Sequence, residues 1–271
     1  MGAATKTDFL VIGSGIAGLR AAVELGAVGN VLVLAKDRLS ESASEYAQGG
    51  IAGALSDEDE VGLHHQDTLR AGDELCNEKA VAVLVEEGPG CIRKLIEWGT
   101  QFDRAGSKLA FTREGAHSRS RVLHAHGDSA GREITRTLFA RAEAIGKHIR
   151  FQSFASTTDL IVDEGRVCGA VVYDAQQQRL ENLRARAVLL ASGGLGQVYA
   201  QSTNPEVATG DGVAIAYRAG TEISDLEFIQ FHPTALRVQG APRFLLSEAL
   251  RGEGAILCNS ELDRFMPRYH P

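Results

Sequence analysis

FLVIGSGIAG, running from Phe9 to Gly18, is the stretch whose reading decides the fold. Phe9 to Ile12 is a compact apolar run. Gly13, Gly15 and Gly18 follow at GxGxxG spacing, and then Leu19, Ala22, Val23 and Leu25 recur at helical intervals. GxGxxG alone is a common accident, but placed directly after a strand and at the opening of a helix it predicts a dinucleotide-binding turn. The three glycines permit a tight turn, close approach of the backbone to a pyrophosphate, and tight helix-to-strand packing. The helix N-terminus supplies oriented amides for the anion. Val31 to Leu34 is a second apolar run of the kind that parallel strands show when both faces are covered, which completes a strand, helix, strand unit.

The residue that holds ribose hydroxyls in such units is an Asp or Glu at the end of the second strand. VLVLAKD offers Ala35 and Lys36 there, with Asp37 one or two positions late. A plain NAD site is thereby disfavoured, and a cofactor held by a lysine and by distant loops is favoured.

Composition bounds the rest. The 271 residues suffice for one large domain or two ordinary ones, and 44% hydrophobic with 23% charged residues is the balance of a soluble globular protein. A net charge of −7 gives no basic footprint for nucleic acid or for an anionic membrane, so neither partner is expected. The N-terminus lacks the parts of a secretory signal, Lys6 stands where myristoylation wants Ser or Thr, and no apolar run approaches the ~20 residues of a membrane span. Cys76, Cys91, Cys168 and Cys258 are scattered without a CxxC pair, which fits reduced thiols and a cytoplasmic location. His124 and His126 are spaced like metal ligands, but the supporting donors are missing and no metal is expected. His64 and His65 read as surface residues.

Ser40 to Glu60 reads as loop, although YAQGGIAGA is unusually glycine-rich for a linker. Val61 to Trp98 is predicted helical, with Leu84, Val85, Ile92, Leu95 and Ile96 on one face and a break at Gly88 and Pro89. A helix over Gly131 to Ala144 precedes strands at Ile149 to Ser153, Thr157 to Val162, Val167 to Tyr173 and Ala187 to Ala191. Gly210 to Gly220 should be a helix, with Asp211 near its N-terminus. TREGAHSRSR, Thr112 to Arg121, sets one carboxylate, Glu114, among Arg113, His117, Arg119 and Arg121. The cluster looks built to receive an anion, so the carboxylate within it needs a reason.

GSGIAGL, VLAK, YAQGGIA, TREGAHS, the GRE at Gly131, LLASGG, TNPEVATGDG, FIQFHPTAL and LLSEALRGEGAIL occur in an order that resembles the L-aspartate oxidase family. That family lies within the fumarate reductase and succinate dehydrogenase flavoprotein superfamily. The resemblance implies an α/β fold: a Rossmann-type FAD-binding domain over residues 1–229 with a β-rich insertion, then the start of an α+β capping domain over 230–271. It implies that Gly13, Ser14, Gly15, Ile16, Ala17 and Gly18 meet the FAD pyrophosphate and Lys36 the adenosine ribose region. Ser44, Tyr46, Ala47, Gln48, Gly49 and Gly50 would lie on the flavin side, with Gly193, Gly194 and Asp211 again at the cofactor. Respiratory members resemble SHTxAAxGG and attach flavin through that His; Ala43 stands at the position here, which implies non-covalent FAD.

The same resemblance assigns substrate roles. Glu114 matches the glutamate that orients the amino group of L-aspartate, which answers why a carboxylate sits among cations: it pairs with an ammonium that a plain dicarboxylate lacks. His232 matches a substrate-carboxylate ligand, and Ser247 keeps the hydroxyl of a usual Thr. Glu248 and Arg251 resemble a proton-relay pair of fumarate-reducing relatives. Ala116, His126 and Ala130 depart from the family pattern in the loops. The implied activity is oxidation of L-aspartate to iminoaspartate with O2 or fumarate as acceptor. That is the first step of de novo NAD biosynthesis, with quinolinate synthase as the partner downstream. Family members continue well beyond MPRYHP, so the chain reads as the N-terminal portion of such an enzyme. Two alternatives stay open: a soluble fumarate reductase or succinate dehydrogenase flavoprotein, and a nucleotide-binding fragment without catalysis.

Overall fold

A computed structural model describes residues 5–232, 234–241, 243–247, 250 and 254–269. The chain divides into two compact units, Met1–Ile229 and Gln230–Pro271.

In the first unit, β1 (Thr5–Ile12), α1 (Ile16–Leu25) and β2 (Val31–Leu34) form the expected strand, helix, strand unit. The short β3 (Ile51–Ala52) is followed by α2 (Val61–Ala71) and α3 (Glu78–Glu97). Four more two-residue strands come next: β4 (Arg104–Ala105), β5 (Lys108–Leu109), β6 (Phe111–Thr112) and β7 (Val122–Leu123). Then come α4 (Ala130–Ile145), β8 (Ile149–Gln152), β9 (Ala155–Asp163), β10 (Arg166–Asp174), β11 (Arg179–Leu190) and α5 (Asp211–Arg218).

One six-stranded sheet, in the order β8-β2-β1-β11-β10-β9, organises this unit. β8, β2, β1 and β11 run parallel, whereas β10 and β9 continue the sheet antiparallel, so the β-rich segment extends the nucleotide-binding sheet itself. Strand alternation sorts the core. Leu10, Ile12, Leu32 and Leu34 gather with Ala155, Ala170, Val172 and Leu183. The intervening Val11, Val31 and Val33 pack with Ala22 and Val23 of α1 and Ala142 of α4. Every residue of β2 is buried, as its continuous apolar run requires.

The helical region corrects two expectations. Pro89 lies inside α3 without breaking it, and the interruption falls instead between α2 and α3. Asn77 Oδ1 accepts the Ala80 N–H at 3.2 Å and starts α3 locally. Val81, Val85, Pro89, Ile92 and Leu95 share the buried face. A proline in a helix interior costs roughly 3 kcal/mol. Four buried aliphatic side chains at about 1.5–3 kcal/mol each outweigh it. Leu84, assigned to the core face, is 65% exposed, because the face is set by Val81, Val85 and Ile92 and leaves Leu84 outward.

The second unit contains β12 (Ala235–Leu236) and β13 (Phe244–Leu245), paired antiparallel with Ala235 opposite Leu245.

Candidate functional site

A cleft of about 310 Å³ opens at the C-terminal ends of β1, β2 and β11. This is where the strand order reverses direction around β1, the position at which open α/β sheets take ligands. Gly13 to Ala17, Lys36, Ser44, Gly193, Gly194 and Asp211 all line it. Gly13 has φ +117° and a Cβ there would sit 2.1 Å from Ala191 O, so the turn out of β1 admits no side chain. A Cβ on Gly18 would sit 1.9 Å from Gly13 O, which makes that glycine a packing residue of α1 rather than part of the cleft wall. Gly15 caps α1 without a side-chain hydrogen bond, and the first turn carries no acid, so the positive end of the helix faces the cleft uncompensated. Ser44 Oγ accepts the Ile16 N–H at 3.2 Å and Ser14 Oγ donates to Leu39 O at 2.8 Å. The loop after β2 is thereby stitched to the start of the helix.

Lys36 Nζ donates to Asp211 Oδ2 at 2.6 Å, and Thr209 Oγ1 donates to Asp211 Oδ1 at 2.6 Å. Burial pushes the Asp211 carboxyl up, but the bonds from Lys36 and Thr209 and the charge of Lys36 prevail and hold it below the usual carboxylate range. Asp37, the late acid after β2, turns away: its Oδ1 accepts the Arg38 N–H at 2.6 Å. The acid that the sequence lacks at the end of β2 is delivered from α5 instead. A glycine cradle, a helix N-terminus without an acid in its first turn and a lysine-carboxylate pair beside it are groups that suit a dinucleotide, and these residues fit FAD.

The remaining loop residues lie outside the cleft wall. Tyr46 is half-exposed and its hydroxyl donates to Glu41 Oε2 at 3.0 Å. Ala47 O accepts the Gly131 N–H at 3.1 Å, and a Cβ on Gly50 would meet Leu123 O at 2.4 Å. Gly49 has open space around it. The buried Gln48 Oε1 has no hydrogen-bond partner among the described residues, an acceptor still waiting for a donor. Thr157 on β9 and Val207 and Ala208 before α5 line the cleft but went unnamed in the sequence reading. The TNPEVATGDG motif carried the signal for the last two.

The hairpin β6–β7, with Thr112 opposite Val122, presents the loop 113–121. Within the basic cluster there, Arg121 is not available to an anion. Arg121 is fully buried: its Nε and Nη2 donate to Asp59 Oδ2 and Oδ1 at 2.8 Å each, and its Nη1 donates to Asp67 Oδ2 at 2.5 Å. Ser118 N–H and Oγ–H also donate to Asp67 Oδ2, at 2.8 and 2.7 Å. Burial raises the Asp67 carboxyl, but these bonds and the guanidinium charge bring it down to about 2. Bonding to Asp59 keeps Arg121 above its ordinary value. His64, expected on the surface, is buried beside this network, its ring 5.8 Å from that of His117. Burial first, then the charges of Arg121 and His117, lower its pKa. α2 turns His64 inward, whereas the neighbouring His65 stays partly exposed.

Glu114 is left largely to itself. The titratable group near it is His124, whose Nε2 lies 3.7 Å from Glu114 Oε1 and 2.9 Å from Thr112 Oγ1. Among the described residues no arginine pairs with Glu114.

In the second unit, Leu246 N–H donates to Thr234 O at 2.9 Å, so His232 and Ser247 flank the same end of the β12–β13 ladder. Thr234 N–H lies 3.3 Å from His232 Nδ1 and Thr234 Oγ1 lies 3.1 Å from the same nitrogen, so the threonine holds that side of the ring. Glu248 and Arg251 fall outside the described residues. Also among the described residues, no helix is long and apolar enough to cross a membrane, and no cluster of His, Cys, Asp or Glu is placed to hold a metal ion.

A mixed sheet with a glycine cradle at its switch point and a lysine-carboxylate pair on the same cleft has the make-up of a flavoprotein nucleotide-binding domain. The chain belongs to the FAD binding domain family, which it matches over residues 8–271. It is 46% identical to an L-aspartate oxidase of Synechocystis sp. over 99% of this chain and 48% of that protein. It is 48% identical to an L-aspartate oxidase of Nostoc sp. over 98% of this chain and 46% of that protein. A solved chain of E. coli quinol fumarate reductase matches its fold with a TM-score of 0.92 at 31% identity, covering 99% of this chain and 46% of that one. The chain therefore spans about half the length of the curated relatives it matches.

Proposed function

We propose that this chain forms the FAD-binding part of an L-aspartate oxidase and carries the residue that selects an amino acid over a plain dicarboxylate. The observation that carries the reading is Glu114. Its neighbourhood in sequence is basic, yet Arg121 is consumed by Asp59 and Asp67, and the glutamate keeps a carboxylate one-third exposed and unpaired with arginine. Such a group repels a second carboxylate and attracts an ammonium.

Held non-covalently by Gly13 to Ala17, Lys36 and Asp211, FAD would supply the two-electron acceptor for oxidation of L-aspartate to iminoaspartate, with O2 or fumarate as the final acceptor. The work of the protein is orientation. Glu114 accepts hydrogen bonds from the substrate ammonium, His232 holds a carboxylate oxygen, and Ser247 donates its hydroxyl to another. Glu248 and Arg251 serve proton transfer when fumarate is the acceptor. Iminoaspartate is then consumed by quinolinate synthase in a cytoplasmic first stage of NAD biosynthesis. The likeness to quinol fumarate reductase supports a second reading, a fumarate reductase flavoprotein.

Glu114→Gln separates the two. Losing a hydrogen bond between charged groups costs about 1.5–3 kcal/mol, so kcat/KM for L-aspartate oxidation should fall roughly 10- to 150-fold while fumarate reduction falls less than about threefold. Equal losses in both assays would refute the assignment and favour the fumarate reductase.

A further inference from the structure

We infer that Asp67 and Arg121 are positioning residues for Glu114, so that the substrate's amino group is read through a clamp on α2 that never touches the substrate. The inference rests on the Glu114 reading above.

The bonds of the clamp converge on one short stretch. Asp67, on α2, accepts from Ser118 N–H, Ser118 Oγ–H and Arg121 Nη1. Asp59, just before α2, accepts from the other two guanidinium nitrogens. Four of these five donors are side-chain groups, and all five belong to the loop 113–121 or its last residue. The connection reaches Glu114 in two further steps. Arg121 Nη1 lies 3.2 Å from His117 Nδ1; a guanidinium can only donate, so Nδ1 accepts and fixes the ring. His117 N–H donates to Glu114 O at 3.0 Å, closing a turn whose first residue is the glutamate. At its other end Arg121 is locked by its own main chain, donating to Thr112 O at 3.1 Å and accepting from Gly53 N–H at 3.0 Å. The hairpin therefore holds the ends of the loop, and the clamp holds its middle.

Direction follows from chemistry. A carboxylate that pairs with an ammonium must be within hydrogen-bond reach in one orientation, and displacement by about an ångström costs such a contact much of its value. Loosening the middle of the loop should degrade recognition of the amine and leave recognition of the substrate carboxylates, assigned to His232 and Ser247, intact.

The test uses Asp67→Asn, Ser118→Ala and Ser118→Thr in the FAD-loaded protein, with KM and kcat measured for L-aspartate and for succinate. Asp67→Asn should raise KM for L-aspartate about tenfold, change succinate KM less than about twofold, and leave the visible flavin spectrum as it is. Ser118→Ala removes one of two bonds and should give a smaller shift of the same kind, which Ser118→Thr restores. Matching losses on the two substrates would mean general damage to the fold and overturn the positioning role. An unchanged Asp67→Asn variant beside a selective Glu114→Gln variant overturns it too. If Glu114→Gln is itself unselective, the substrate reading falls and takes this one with it.

Discussion

Replacing Arg121 by Met removes the cation at the centre of the clamp while keeping most of the buried volume. The guanidinium is fully buried, as is the Asp59 side chain, and Asp67 is 14% exposed, so water can do little to re-solvate the carboxylates left behind. Stripping one partner from a buried ion pair costs about 3–5 kcal/mol. At about 2–4 °C of Tm per kcal/mol for a domain of this size, the melting temperature should drop roughly 6–20 °C. Thermal unfolding at pH 7 measures it. A second variant, Arg121→Met with Asp59→Asn and Asp67→Asn, removes the orphaned charges and should recover at least half of the loss. The effect also has a pH signature. Asp59 and Asp67 are held below their ordinary values in the folded protein, Asp67 at about 2. Their contribution is full above the unfolded carboxylate value near 4 and is lost as pH falls through the folded one. The gap between wild type and Arg121→Met should therefore narrow between about pH 4 and pH 2. A Tm within 2 °C of wild type at pH 7, or a gap that does not narrow on acidification, would refute the reasoning.

Two further outcomes follow from the cleft and from α3. Lys36→Met should raise the dissociation constant for FAD about tenfold, in line with one charge-assisted contact, and equilibrium dialysis against FAD would expose an unchanged value as evidence that Asp211 rather than the lysine holds that corner. Gly88 and Gly90 lie inside α3 with open space where a Cβ would stand, so Gly88→Ala with Gly90→Ala should stabilise by roughly 1–2 kcal/mol, read as a rise of about 2–8 °C in Tm; a fall would show that those positions face a surface.

What was legible in the sequence is what short stretches determine. FLVIGSGIAG dictates strand, turn and helix through contacts within a few residues, and β2 announces its burial by four consecutive apolar residues. Lys36, Ser44, Gly193, Gly194 and Asp211 were named through long motifs and meet on one cleft. The misreadings share a cause. Arg121 looked like an anion ligand because Asp59 and Asp67, which neutralise it, lie 62 and 54 residues away. His64 looked exposed because nothing local reveals that α2 packs it against His117. Pro89 looked like a break because a local rule prices the missing hydrogen bond and cannot see the tertiary burial of its face. β11 begins at Arg179, before the Ala187 start read from its apolar end, because its first half is held by pairing with β10 and alternates in burial.

The pairing of Lys36 with Asp211 spans 175 residues. On a ribosome moving at about 5–20 residues per second, the lysine therefore waits roughly 9–35 s for its partner to be synthesised. The helix that would greet a pyrophosphate is among the first segments made, yet its floor at Ala191 and the Asp211 that pairs with Lys36 come much later. Until then the Rossmann unit is a sheet with an open flank, since β1 finds its second neighbour only in β11. Cofactor capture must thus trail chain growth, and the nascent protein passes through an interval in which a half-paired, apolar central strand is the feature that chaperones would meet.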